Sequence, residues 1–182
     1  MFVRSLSLGV AAAALLVGGA QAADLIIPTT PAPIYEAAGF SWDGMYAGVQ
    51  GGGEFFDGFT NGVIGAHVGV NFIVADPILL GVEGTAEYVF GDETDGYGEF
   101  FINGRVGAVV TDSVLVYALA GAGVAAQDGS DNVGLYQLGG GVELAVTDAV
   151  SVRGQIVGVG TFDDGDDFFE AAKATIGVSY HF

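Results

Sequence analysis

The residues whose types could do chemistry are few and scattered. Gly121-Ala122-Gly123-Val124-Ala125-Ala126 matches the loose G-x-G-x-x-A pattern that holds a pyrophosphate at a strand-to-helix turn. That chemistry requires a helix to open there, yet Gln127-Asp128-Gly129-Ser130-Asp131-Asn132 follows and reads as a turn. Small residues in a tightly curved strand are the expectation. Hydrolysis by a Ser–His–acid set needs the three groups to converge. The chain has two His: His67 lies mid-strand beside Val68 and Gly69 with no Ser nearby, and His181 lies next to the end. Both are expected to fill space as polar side chains. Asp163, Asp164, Asp166 and Asp167 offer carboxylate oxygens to a hard divalent cation. Their spacing fails the EF-hand pattern, and a solvated acidic turn is the plainer expectation; a weak cation site there stays open. The chain has no Cys, which removes thiol nucleophiles, disulfides and Cys-ligated metals. No catalytic residue and no cofactor are expected.

The elements that carry these residues are strands. Past Ser41 no helical period occurs, and alternation with a period of 2 dominates. Ala172, Ala174, Ile176, Val178, Tyr180 and Phe182 form one face, with Lys173, Thr175, Gly177, Ser179 and His181 on the other. The same pattern runs through 63–72, 79–90, 100–110, 135–146 and 150–162. Two Gly- and Ala-rich runs, 44–53 and 114–126, complete a set of eight, but their parity cannot be read. Short connectors at Ala75-Asp76-Pro77, Thr111-Asp112-Ser113 and Thr147-Asp148-Ala149 alternate with longer acidic ones near 53–61, 91–98, 127–132 and 163–167.

This layout predicts an all-β, eight-stranded, antiparallel up-and-down barrel that spans a membrane with its apolar face toward lipid. Alternation alone suits a soluble sandwich equally well. Three observations separate the two. Glu83, Glu87, Arg105, Glu143, Arg153 and Lys173 all fall on the polar faces of strands, whereas most other acids fall in the long connectors. The strands are long for a soluble sheet. The chain also ends Ile176-x-Val178-x-Tyr180-x-Phe182, an aromatic C-terminal strand like those that barrel-assembly machinery recognises in outer-membrane proteins.

Composition narrows the class further. The chain has 182 residues, is 51% hydrophobic and has a formal net charge of −18, with 22 acids against 4 basic residues. Disordered acidic chains are poor in apolar residues, and four basic residues cannot neutralise a nucleic acid backbone. Met1 to Ala22 reads as a signal peptide: Arg4, an apolar stretch from Leu6 to Val17, and Ala20-Gln21-Ala22 as the cleavage site. The expected organisation is a leader over 1–22, a proline-containing periplasmic lead-in over 23–40 and the barrel over 41–182.

Phe40-Ser41-Trp42-Asp43-Gly44-Met45-Tyr46-Ala47-Gly48, Gly65-Ala66-His67-Val68-Gly69-Val70-Asn71-Phe72, Leu80-Gly81-Val82-Glu83-Gly84 and Gly141-Val142-Glu143-Leu144-Ala145-Val146-Thr147-Asp148 resemble a known family. It is that of the small outer-membrane immunogenic proteins of alphaproteobacteria, within the OmpA-like, porin-family barrels. The resemblance implies an integral outer-membrane protein with a structural or surface-antigen role and no enzymatic chemistry. This chain departs from the family in its short external connectors and its few basic residues.

Outer-membrane lipid and lipopolysaccharide are the expected surroundings, and a monomer the expected state. In the lumen, a tight turn at Thr147-Asp148-Ala149 sets Glu143 opposite Arg153, and Arg105 and Lys173 are expected to meet Glu83 and Glu87. Eight strands leave an interior just wide enough for side chains, so a plugged structural barrel is the leading expectation. A narrow cation-preferring porin, motivated by the acidic rim and the lumen Glu residues, is the alternative.

Overall fold

The computed structural model describes residues 39–56, 58–91, 94–126, 132–162 and 168–182. The expected leader, nearly all of the expected lead-in and the acidic run Asp163–Asp167 lie outside the described residues. Eight strands follow one another: β1 (Gly44–Phe55), β2 (Thr60–Ala75), β3 (Ile78–Gly91), β4 (Thr94–Thr111), β5 (Val114–Ala126), β6 (Val133–Ala145), β7 (Val150–Thr161) and β8 (Ala171–His181). Each pairs antiparallel with the next, and β8 returns to pair with β1, so the sheet is a closed barrel with no free edge.

Turn chemistry explains the short connectors. The Thr147 hydroxyl oxygen accepts from the backbone N–H of Ala149 at 3.3 Å and of Val150 at 3.0 Å, which reverses the chain between β6 and β7. On the other side of the barrel the strands run longer than the sequence implies. β4 begins at Thr94 inside the expected 91–98 connector, because Gly96 and Gly98 hide an alternation that Tyr97 and Glu99 continue inward. β1 runs to Phe55 and β2 starts at Thr60, so the expected 53–61 connector shrinks to 56–59. Glu54, expected in that connector, is an interior residue of β1 at 1% exposure.

The barrel is inside out relative to a soluble sandwich. Ile64, Val68, Val82, Ile102, Val106, Ile156, Ile176 and Val178 are exposed on the outer surface, while Glu54, Glu83, Glu87, Glu99, Arg105, Glu143, Arg153 and Lys173 are buried inside. Strands of 11–18 residues match or exceed the roughly 9–11 that cross a bilayer tilted.

The interior is not purely polar, which corrects the sequence expectation. Leu79, Phe101, Leu115, Leu119, Leu135, Val157 and Val159 point inward and pack together. Val63, placed by parity on the polar face, is one of several apolar side chains inside. A narrow lumen must be filled to the density of any protein interior, and apolar side chains fill it wherever no polar partner is in reach.

Filling also explains the glycine content. Tyr46 pairs across β1–β2 with Gly69, Phe101 across β4–β5 with Gly123, Tyr117 across β5–β6 with Gly141, and Glu87 across β2–β3 with Gly65. A Cβ on Gly141 would stand 2.7 Å from the Tyr117 hydroxyl, and one on Gly65 would stand 2.7 Å from Cγ of Glu87. Each large side chain occupies the space that its neighbour leaves empty.

Two substitutions test this architecture. Ile102→Arg, on the lipid face near the middle of β4, should cost about 2–4 kcal/mol in denaturant unfolding from lipid vesicles. Gly69→Ala, which drives a methyl into the Tyr46 ring, should cost about 1–3 kcal/mol in the same measurement.

Candidate functional site

The charged side chains of the lumen form two tiers. The tier nearer the short turns centres on Glu83. Its Oε2 accepts from the Tyr46 hydroxyl at 2.7 Å, from Arg153 Nη1 at 2.5 Å and from Arg105 Nη1 at 3.3 Å. Arg105 also donates through Nη2 to Glu143 Oε2 at 3.0 Å and lies 4.0 Å over the Tyr117 ring. Ser151 donates to the other Glu143 oxygen at 2.5 Å. Two guanidinium groups thus face two carboxylates, and all four side chains are 0–1% exposed.

The second tier lies toward the longer connectors. Lys173 reaches Glu87 at 2.8 Å, contacts Glu99 and stands 3.9 Å from Glu54. Tyr97 donates its hydroxyl to Glu54 at 2.9 Å. One ammonium therefore serves three carboxylates. Gln50 joins the tiers: its Nε2 donates to Glu87 at 2.6 Å, and its Oε1 accepts from Arg153. Beyond the second tier, on the connector side, a cavity of about 410 Å³ is lined by Glu54, Tyr97, Glu99 and Glu170 with Leu135 and Val159 behind them.

All six lumen charges expected from sequence therefore lie together in the interior. Arg105 meets Glu83 and Lys173 meets Glu87, as expected. Glu143 and Arg153 are register partners across β6–β7, also as expected. Their ion pairs run elsewhere, which is a correction: Arg153 crosses the barrel to Glu83 and Glu143 takes Arg105. An arginine is long enough to cross a narrow lumen, and Glu83 presents its carboxylate where both guanidinium groups can reach it. The sequence reading missed Glu54 and Glu99 as members, although Glu54 shares parity with Tyr46 and Gln50, and Glu99 with Asn103 and Arg105.

The histidines need a correction as well. His67, with no Ser near it in sequence, stands 2.8 Å from Ser179 across β1, in the room left by the bare Gly48. His181 lies 3.0 Å from Ser151 and 3.3 Å from Glu143. This trio does not have triad geometry, because hydroxyl and carboxylate both meet the same ring nitrogen, Nε2, and neither orients the ring through Nδ1. The stretch Gly121–Ala126 lies wholly within the strand β5. Among the described residues no group of three or more His, Cys, Asp or Glu is arranged to hold a metal ion.

A closed eight-stranded barrel with an apolar outside and a charged inside narrows the comparison with known proteins. The sequence profile of the outer membrane protein beta-barrel domain matches residues 10–182. The chain belongs to this family. Its place is the outer membrane, crossed by strands. Solved members of the same architecture include the N-terminal β-barrel domain of Pseudomonas aeruginosa OprF, at 12% identity and a TM-score of 0.52, covering 77% of this chain and 98% of that one. Ail, the attachment invasion locus protein of Yersinia pestis, matches at 14% identity and 0.53, covering 77% and 99%. Neisserial surface protein A matches at 14% and 0.51, covering 76% and 96%. At these identities the likeness is one of fold. No curated protein matches the sequence.

The network assigns partners that a double-mutant cycle can check. Arg153→Ala should destabilise the outer-membrane barrel by about 3–5 kcal/mol, because it leaves a buried carboxylate short of a cation. Coupling measured by denaturant unfolding should be larger between Arg153→Ala and Glu83→Ala than between Arg153→Ala and Glu143→Ala, the residue directly across the strand pair.

Proposed function

We propose that this chain is a plugged, structural outer-membrane barrel with a surface-antigen role and no catalysis. The observation that carries the reading is the exposure of the turn-side tier. Glu83, Glu143, Arg105 and Arg153 are reached by almost no solvent, so the middle of the lumen is occupied by paired charge. Polar groups held this way stabilise one arrangement of the strands, and a path for solutes would have to break several buried ion pairs at once.

The finer family reading accords with this function. The mature chain is exported through a leader cleaved after Ala22, its residues 23–40 stay on the periplasmic side, and it resembles the small immunogenic barrels of alphaproteobacteria. Tyr180 and Phe182, both on the outer face of the last strand and exposed, serve as the assembly signal. The barrel stands as a monomer in outer-membrane lipid and lipopolysaccharide. The acidic run Asp163, Asp164, Asp166 and Asp167 would offer carboxylates to Ca²⁺ or Mg²⁺ bridging to that lipopolysaccharide. The names of two similar folds, an attachment protein and a surface protein, support a surface role.

A narrow cation-preferring pore is the second reading. One lysine against three carboxylates, opening toward a cavity on the connector side, is the observation that favours it. Single-channel recording of the refolded mature chain in a planar bilayer separates the two. We expect a folded, silent barrel. Stable cation-selective steps would replace the plugged barrel with the pore and make Glu54, Glu87 and Glu99 its selectivity residues.

A further inference from the structure

The end of the barrel nearer the short turns is crossed by the five residues that precede and enter β1. Trp42 is 3% exposed and belongs to the buried apolar cluster that includes Leu79 and Leu115. Its indole N–H donates to the carbonyl of Asp112, in the turn between β4 and β5, at 3.1 Å. Asp43 accepts the backbone N–H of Ile73, at the end of β2, at 2.9 Å. Phe40 meets Trp42 edge to face at 4.5 Å and His181 of β8 at 4.6 Å. Three points around the mouth, on β2, on the β4–β5 turn and on β8, are thus tied by one segment.

The segment is also built to leave β1 at an angle. Gly44 has φ +120°, a left-handed backbone that a side chain would strain, and it stands between Asp43 and the first inward residue, Tyr46. From the mouth a column of rings runs inward. Trp42 and Phe40 lie on His181, His181 stacks on Tyr46 at 5.4 Å, and Tyr46 donates to Glu83 in the charged tier.

We infer that Gly39–Asp43 is a strap that seals the turn-side mouth of the lumen and fastens the β1–β8 seam to the opposite side of the barrel. The strap deepens the reading of a closed lumen, because it places a second barrier below the ion pairs. Its job differs from theirs. The ion pairs hold the middle, whereas the strap excludes water from Asn71, His181 and Ser151 just inside the mouth, all buried.

The chain has no Cys, so a single introduced thiol reports access cleanly. Asn71 suits this, since it is fully buried at the level of Gly44 and neither polar atom of its amide has a hydrogen-bond partner. The folded full-length mature chain carrying Asn71→Cys, in detergent so that both mouths are reachable, would be labelled with a polar maleimide. Folding would be confirmed by the faster gel migration of unheated barrel. With the strap intact, labelling should be slow. In the Phe40→Ala/Trp42→Ala background it should rise by about tenfold or more, because access follows the population of the open mouth. A reporter in the connector-side cavity, Ala125→Cys, should label at the same rate in both backgrounds.

Unchanged Asn71→Cys labelling in the folded double variant overturns the strap. An equal rise at both reporters overturns it too, since that means general loosening. If the aromatic double variant does not fold, Asp43→Ala decides. It removes only the exposed tie to Ile73, and unchanged labelling there is equally fatal. The assay reads access rather than conduction, so a conducting barrel would refute the plugged reading and leave this result to be judged by itself.

Discussion

Glu83 accepts hydrogen bonds from a phenol and from two guanidinium groups at a depth that water does not reach. A carboxylate alone at that depth would be untenable, and so would either arginine. The three strands that bring the cations and the phenol, β1, β4 and β7, therefore have to meet β3 across the lumen with their side chains at one level. Closure of the barrel achieves this, and no open sheet would. The pairing is in that sense a statement about topology. The turn-side tier is complete only once β8 has returned to β1, which carries Tyr46, and placed His181 beside Glu143.

The same narrowness that makes the pairing possible limits how many side chains may enter. Eight strands at one level offer more inward positions than the lumen can hold. Glycine resolves the conflict. Wherever an aromatic or a long charged side chain points inward, its cross-strand neighbour tends to be bare, as Gly69 is for Tyr46, Gly123 for Phe101 and Gly177 for Arg153. In an ordinary sheet such glycines would weaken the strands for nothing. Here they set aside the volume in which the network forms. The apolar inward residues stand beside the charged ones and fill the rest of each level: Leu119 is the register partner of Arg105, Leu115 that of Glu143, and Lys173 lies 5.3 Å over the Phe101 ring.

Much of this was legible in the sequence, for a definite reason. Alternation in six strands carries large apolar residues on one parity and Glu, Arg, Gln, Asn or Lys on the other, and that pattern survives any error in the strand ends. The parity of β1 and β5 was not legible, because both are rich in Gly and Ala on each face and Leu115, Tyr117 and Leu119 turn inward against the general rule. Strand lengths were underestimated where glycine interrupts the period, as at Gly96 and Gly98. Partners across a strand pair followed from turn length, and Glu143 does oppose Arg153. Partners across the lumen did not, since the sequence says which residues face inward but not which of them an arginine can reach over the diameter. Arg153 with Glu83 is of that kind.

The two ends of the lumen are closed by different physics, and the difference follows from how charge is compensated at each. Toward the short turns the guanidinium and carboxylate groups balance, and below them the end is finished with rings: Trp42, Phe40, His181 and Tyr46 in contact. Toward the connectors three carboxylates share one lysine, and the tier opens on a cavity that Glu54, Glu99 and Glu170 share with Leu135 and Val159. Glu54, Glu87 and Glu99 are buried too, so the surplus of acid is met by neutral donors as well as by the lysine: Tyr97 donates to Glu54 and Gln50 to Glu87. The polarity of the barrel, tied by rings at one end and acid-rich at the other, is one consequence of distributing so few cations among so many carboxylates.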